Sequence, residues 1–311
     1  MTTDPTRLLE RMDEPAGPRR TSLDDSPGYR AFRVVNTVVL LGVVAVTLYP
    51  FVNIVAQSFS SEVYIRTGQV NVVPRGFNLD TYELVASDPA FWNSYLNTVV
   101  YTVTATAISI VLTTVYAYVL SKHRLKGRGL LVGIAVFTMF FNGGLIPNYV
   151  LVNGLGMTNT IWAVVLPNAI SVFNLLVMKA FFESLPSELE EAAAIDGLNT
   201  YGTLLRIVLP LSKAVLATMV LFYAVANWNS WFQAFLYLDR ADMFPVTVYL
   251  RNMIAGATSA TSVGAVETNA VAISANIKSV TMVLTVLPIV AVYPFIQRYF
   301  VSGVMLGAVK Q

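Results

Sequence analysis

The sequence predicts an all-α polytopic membrane protein: six transmembrane helices, with a short cytoplasmic helix between the fourth and the fifth. Three observations carry that expectation. The 311-residue chain is 55% hydrophobic and 12% charged, with a mean hydropathy of +0.62, whereas a soluble domain carries about 25% charged residues. Several charge-free runs are long enough to cross a hydrocarbon core, which takes about 20 residues. Lys and Arg gather in alternate connections, the pattern that fixes the orientation of a membrane protein.

Residues 1–33 are polar and rich in Pro, Arg and Asp. They lack an apolar stretch ahead of a small-residue cleavage site, so they read as a disordered cytoplasmic lead-in and not a signal peptide. The membrane domain takes in 34–311. Its first span is Val34–Ala56, with no charge between Arg33 and Glu62, and its second is Asn93–Ser121. Leu130 to Met178 contains no charged residue, which is enough for two spans. The break between them is expected at the Gly/Asn-rich turn Asn153–Asn159. A fifth span runs from about Ala214 to Leu238 and a sixth from about Ser279 to Gln297, kinked by Pro288 and Pro294.

Basic residues then orient the chain. Arg19, Arg20, Arg30 and Arg33 precede the first span, and Lys122, Arg124, Lys126 and Arg128 separate the second from the third. Arg206 and Lys213 follow the fourth; Arg298 and Lys310 follow the sixth. All of these fall on one side, which the positive-inside rule makes the cytoplasm of a plasma-membrane protein with both termini inside. Two outer connections, 58–91 and 239–276, are long enough to be structured, either as plain surface loops or as partner surfaces. The net charge of +2 gives no footing for nucleic acid.

The polar segment at 184–210 is the most informative part of the chain. Ser187 and Glu190 have capping-box spacing, and Glu188–Ile195 is built from good helix formers. Gly197 suits the left-handed residue that ends a helix, and a second helical stretch can run from Asn199 into Pro210. Small side chains at Ala192, Ala193 and Ala194 permit close approach of another surface. Read as a pattern, the segment is Glu-Ala-Ala at 191–193, Gly197, then Ile207-Val208-Leu209-Pro210.

That pattern resembles the cytoplasmic coupling motif of the permease subunits of bacterial ABC importers. From about Phe91 onward the chain is similar to the carbohydrate-type branch, on Asn142-Gly143-Gly144-Leu145-Ile146-Pro147, Leu166-Pro167, Phe181-Phe182, Trp228-Asn229-Ser230-Trp231 and the tail from Gln297. The resemblance implies a second homologous permease, an ATPase dimer and an extracytoplasmic solute-binding protein as partners, besides the bilayer. It implies ATPase coupling through Glu190, Glu191, Ala192, Ala193, Asp196 and Gly197, followed by Ile207, Leu209 and Pro210. It also implies that the tail 298–311 reaches the ATPases, through Gly303, Gly307 and Lys310. The cargo it implies is a sugar, an oligosaccharide in particular; a peptide, amino acid or ion is the alternative, and a secondary carrier the next.

The residues themselves restrict the chemistry. No Gly-x-x-x-x-Gly-Lys-Ser/Thr occurs, so ATP and Mg are expected on a separate ATPase and the chain is expected not to be an enzyme. The expected span interiors hold no Asp, Glu, Lys, Arg or His, which argues against proton or sodium coupling. His123 is the only histidine and there is no cysteine, so no imidazole or thiolate metal site is expected. Amides and indoles in an apolar span need partners, and both suit sugar hydroxyls and C–H faces. Asn227, Trp228, Asn229 and Trp231, with Asn142, Asn148 and Tyr149, are therefore candidates for the solute path. Interfacial anchoring and helix bridging remain the alternatives for the same residues.

Overall fold

A computed structural model describes residues 27–262 and 276–291. The chain divides into two compact units at Asn53/Ile54. The first contributes most of α1, Pro27–Ser58, a 32-residue helix with an apolar 18-residue window that is wholly exposed within the chain. At about 1.5 Å per residue it is long enough to cross a bilayer. Its described part runs from Pro27, so Arg30 and Arg33 lie on the helix and not in the lead-in; the earlier part of the expected lead-in lies outside the described residues.

The second unit is organised around α2, Pro89–Ser121. Asp88 caps it by accepting from the Ala90 N–H at 2.8 Å, and Pro89 occupies the first turn, where a missing N–H costs nothing. One face of α2 is a row of small or hydroxyl side chains, Ser94, Thr98, Thr102, Ala105, Ser109, Thr113 and Ala117, all buried. Their spacing of three or four residues keeps them on one stripe, where short side chains let neighbouring helices approach closely. Two helices pack there: α5, Val172–Glu183, and α7, Lys213–Trp228. The Tyr223 hydroxyl of α7 ties the three together. It lies 2.6 Å from Thr113 Oγ1 and accepts from the Ser171 N–H, at the cap of α5, at 3.0 Å.

Regular structure among the described residues is helical apart from a single β-bridge, Ser60 to Phe77. Yet among the described residues α1 and α2 alone are unbroken helices of spanning length and apolarity. The expected third span instead breaks early. α3, Arg128–Phe140, ends before Asn142-Gly143-Gly144, and α4, Leu145–Gly154, departs at 113°. Two glycines in a row weaken a helix by about 1 kcal/mol each. Asn142 Oδ1 then accepts the Gly144 N–H at 3.0 Å, with Gly144 at φ +89°. The turn at 153–159 is also present, with Asn159 at φ 57°, and interrupts the charge-free run a second time. The fourth span is likewise divided, Ile161–Val165 preceding α5.

The expected fifth span also stops short: α7 ends at Trp228, and a separate helix, α8, spans Phe232–Tyr237. α9 covers Val246–Ser262, and α10 covers Ile277–Ala291 within the expected sixth span. Pro294 and the remainder of that span lie outside the described residues.

Candidate functional site

The polar segment folds into α6, Glu188–Ile195, and a second stretch from Thr200 to Leu211. Gly197 sits at φ +79°, with its N–H donating to Ala194 O at 3.1 Å and the Leu198 N–H donating to Ala193 O at 2.9 Å. These paired bonds around a left-handed residue are the Schellman ending. Asn199 then starts the next turn, accepting from the Gly202 N–H at 2.8 Å. Leu204–Val208 follows as a π-helix, and the Leu209 N–H reaches back to Leu204 O. Pro210 supplies no N–H and crowds the preceding turn, so a widened turn ahead of it relieves the clash. At Ser212 the chain turns through 85° into α7.

The capping box does not form. Ser187 has helical dihedrals and makes no capping bond. The Glu190 carboxylate is ion-paired instead with Lys122, just past the end of α2. Burial pulls the Lys122 ammonium below the ordinary lysine range, and Glu190 opposes that shift. Lys122 also stands 3.8 Å above the Tyr118 ring. A second clamp joins the base of α5 to the start of α3: Glu183 pairs with Arg128 and, at 2.9 Å, with Lys179. Arg128 also donates through Nε to Leu120 O at 2.7 Å. The basic connection after α2 is thus knitted to the end of α5 and to α6 itself.

Burial sorts the motif residues. Ala193 is 1% exposed and packs inward, so it is not among the small side chains offered to another surface; Glu191, Ala192, Asp196 and Gly197 are exposed. In the following stretch Leu204 and Val208 enter the main core, while Ile207 and Leu209 are half-buried and Pro210 is exposed. Ile195, Tyr201 and Leu205 stand out at 87%, 75% and 63% exposure, large apolar side chains flanking Gly197 in sequence. The tail residues Gly303, Gly307 and Lys310 lie outside the described residues.

The solute-path candidates do not converge on one site. Trp228 donates to Thr285 O of α10 at 3.3 Å and meets Tyr95 of α2 edge-on at 5.8 Å, as a packing residue would. Asn227 approaches Thr106 of α2 at 3.5 Å. Asn229 is exposed and donates to Val225 O of its own helix at 2.8 Å, so it bridges no helices through that group. Trp231 is outside α7 and carries the Arg251 guanidinium 5.1 Å above its ring. Asn142 and Tyr149, expected within the third span, stand instead at its break and on α4. Asn142 borders a cavity of about 580 Å³, and Tyr149 stacks at 6.1 Å on Tyr237, which lines it.

Comparison with known proteins decides what this arrangement belongs to. Residues 84–306 match the family described as the binding-protein-dependent transport system inner membrane component. The chain belongs to that family. Protein LplC of Bacillus subtilis (strain 168) is 43% identical over 281 residues, covering 90% of this chain and 95% of LplC. The polygalacturonan/rhamnogalacturonan transport system permease protein YtcP of the same organism is 38% identical over 272 residues, covering 87% and 95%. Among solved structures, a bacterial ABC transporter involved in the import of the acidic polysaccharide alginate superimposes with a TM-score of 0.80. It is 33% identical and covers 88% of this chain and 98% of its own.

As a permease of this family, the molecule holds residues that sequence reasoning passed over. Glu183 and Lys179 carried no role in the sequence reading, and the basic loop after α2 served only to orient the chain. Their pairing depends on α5 and α2 lying side by side, which no linear spacing encodes. The buried hydroxyl stripe of α2 was legible in principle, since Ser, Thr and Ala recur at helical intervals from Ser94 to Ala117.

Proposed function

We propose that this permease is one transmembrane subunit of an ATP-driven importer of oligosaccharides. In this reading it has six spans, some of them broken, with both termini in the cytoplasm, and it pairs with a second, homologous permease. A solute-binding protein delivers the sugar from outside, and an ATPase dimer holds ATP and Mg inside. The cargo follows from the relatives: polygalacturonan/rhamnogalacturonan transport is named for one, alginate import for another.

The observation that carries the coupling role is the build of 184–210. α6 is fixed to its own chain by Ala193 and the Lys122–Glu190 pair, while Ile195, Tyr201 and Leu205 remain exposed. A fixed helix followed by a stretch with exposed apolar side chains can transmit a push from a docked ATPase to α2 and α5 and so shift the balance between inward- and outward-facing states. Burying those three side chains is favourable by about 25 cal/mol per Å² of apolar area. Under the same reading Glu191, Ala192, Asp196 and Gly197 contact the ATPase directly, and Glu190 and Ala193 position the helix. Asn142 and Tyr149 border the solute path; Asn229 and Trp231 are kept as its secondary candidates, and Asn227 and Trp228 hold its wall.

The test is ATP hydrolysis by the assembled complex. It should rise when the binding protein is loaded with oligosaccharide, and hydrolysis stimulated by peptides or amino acids but by no saccharide would refute the cargo class.

A further inference from the structure

The cavity beside α4, whose border the transport reading assigns to the solute path through Asn142 and Tyr149, has further features which that reading does not use. Asn142, Asn148, Asn168 and Gln233 bring four amides to its wall, with Tyr237 beside them, and no charged side chain lines it. Its volume of about 580 Å³ falls in the range of about 300–1,000 Å³ that holds small ligands. Asn142 is already committed: its Oδ1 accepts from the Gly144 N–H at 3.0 Å and from Asn148 Nδ2 at 3.3 Å. That arrangement leaves Oδ1 of Asn148 with no hydrogen bond among the described residues. Gln233 Oε1 accepts from Ser230 Oγ at 2.9 Å, which leaves its Nε2 available. The Asn168 amide makes no hydrogen bond among the described residues.

Asn142, Asn148 and Asn168 are exposed and Gln233 is half-buried, so these amides are accessible to a ligand from outside the chain. Here they present donors and acceptors together, which suits hydroxyl groups and supplies no counter-charge for an ion or for a peptide terminus. Tyr237 is 4% exposed and lies nearly parallel to Tyr149, at 14°, which makes a rigid aromatic wall. The cavity also touches the 153–159 turn through Leu155 and Met157. That turn is fastened to the end of α8, where the Asn159 N–H donates to Tyr237 O at 2.9 Å. Both connections are outer ones in the proposed orientation, so the cavity's lining reaches the side from which solute arrives.

We propose that this cavity receives a pyranose unit of the oligosaccharide. Asn148, Asn168 and Gln233 bond ring hydroxyls, Asn142 positions Asn148, and Tyr237 walls the site. The inference rests on the importer reading above and places in this chain a site that a transport path alone does not require.

The test uses the assembled transporter in proteoliposomes, with Asn168→Cys in a chain that has no native cysteine. Asn153→Cys, exposed on the same outer side but off the cavity, serves as comparison. Labelling of this chain by a neutral maleimide is timed with binding protein loaded in turn with an oligogalacturonide, an alginate oligosaccharide and an arabino-oligosaccharide. ATP hydrolysis is read in parallel. The expected result is that a sugar that stimulates hydrolysis slows labelling at position 168 about fivefold and leaves 153 unchanged, as occupancy of the site at several times its dissociation constant would. Stimulated hydrolysis with no slowing, or with equal slowing at both positions, overturns this site while the importer reading stands. No stimulation by any saccharide overturns both. As a second measurement, Gln233→Leu should raise the half-saturating sugar concentration about fivefold to tenfold, the loss expected of one or two hydrogen bonds. A fall in complex yield with that concentration unchanged would mean that the second permease fills the cavity, and would also overturn the site.

Discussion

Replacing Gly197 with Asp tests the coupling loop at the point where the backbone leaves least choice. Gly197 holds φ +79°, and a Cβ added there would meet nothing within 4 Å. The substitution therefore produces no clash inside the chain; its intrinsic cost is the left-handed conformation, about 1–2 kcal/mol for an ordinary residue. Such a cost changes the population of the ordered helix ending by a factor of about 5–30. Asn tolerates this conformation better than most residues, so Gly197→Asn should retain more coupling than Gly197→Val, in which strain is greatest. Asp also adds a charge to an exposed position that the proposal sets against the ATPase. The assay compares sugar-stimulated ATP hydrolysis with the yield of assembled complex for the Asp, Asn and Val variants. Hydrolysis should fall in the order Asn, Val, Asp while detergent-solubilised permease stays folded. Full stimulation in Gly197→Asp would refute the reasoning.

Ala193 and Ala192 should separate packing from docking: Ala193→Leu overfills a buried position at about 1–3 kcal/mol and lowers thermal stability. Ala192→Leu should leave stability unchanged and weaken ATPase association; the reverse pattern would show that α6 is turned the other way. Lys122→Ala strands Glu190, and since that carboxylate is about one-third exposed the cost is expected near 1 kcal/mol, read as a small fall in melting temperature with reduced coupling. For orientation, Ser187→Cys and Lys126→Cys, both exposed, should react with an impermeant thiol reagent only in permeabilised cells, and Val73→Cys, 70% exposed, in intact ones. Labelling at 187 in intact cells would invert the topology. Trp228→Ala should cost about 2 kcal/mol or more through lost packing against α2 and α10, whereas Asn229→Leu, whose amide bonds only its own helix, should leave stability unchanged and act on uptake.

The sequence made the class of the molecule and the Gly197 helix ending plain, because composition and backbone conformation are written residue by residue. Gly197 suited only a few positions, and it occupies one of them. The spans were less legible. Hydropathy measures how readily a segment enters hydrocarbon, and Leu130–Met178 is apolar throughout; it does not report whether the hydrogen-bond ladder continues through Gly143-Gly144. Asn229 and Trp228 show the same limit for the site. Their residue types suited a sugar, yet one amide caps its own helix and the indole is spent on α10. Glu190 had the spacing of a capping box, but Lys122, distant in sequence, offered its carboxylate a charged partner. What the chain contacts across long separations decided each of these cases.

The central claim, that this permease couples ATP hydrolysis to oligosaccharide movement, is tested most directly by uptake into proteoliposomes. The complex of both permeases and the ATPase dimer is reconstituted with ATP enclosed, labelled oligogalacturonide and its binding protein are added outside, and sugar retained inside is counted. The account predicts accumulation that needs ATP and binding protein and is lost in Gly197→Asp. Accumulation that proceeds equally without ATP, or in Gly197→Asp at the wild-type rate, would contradict it.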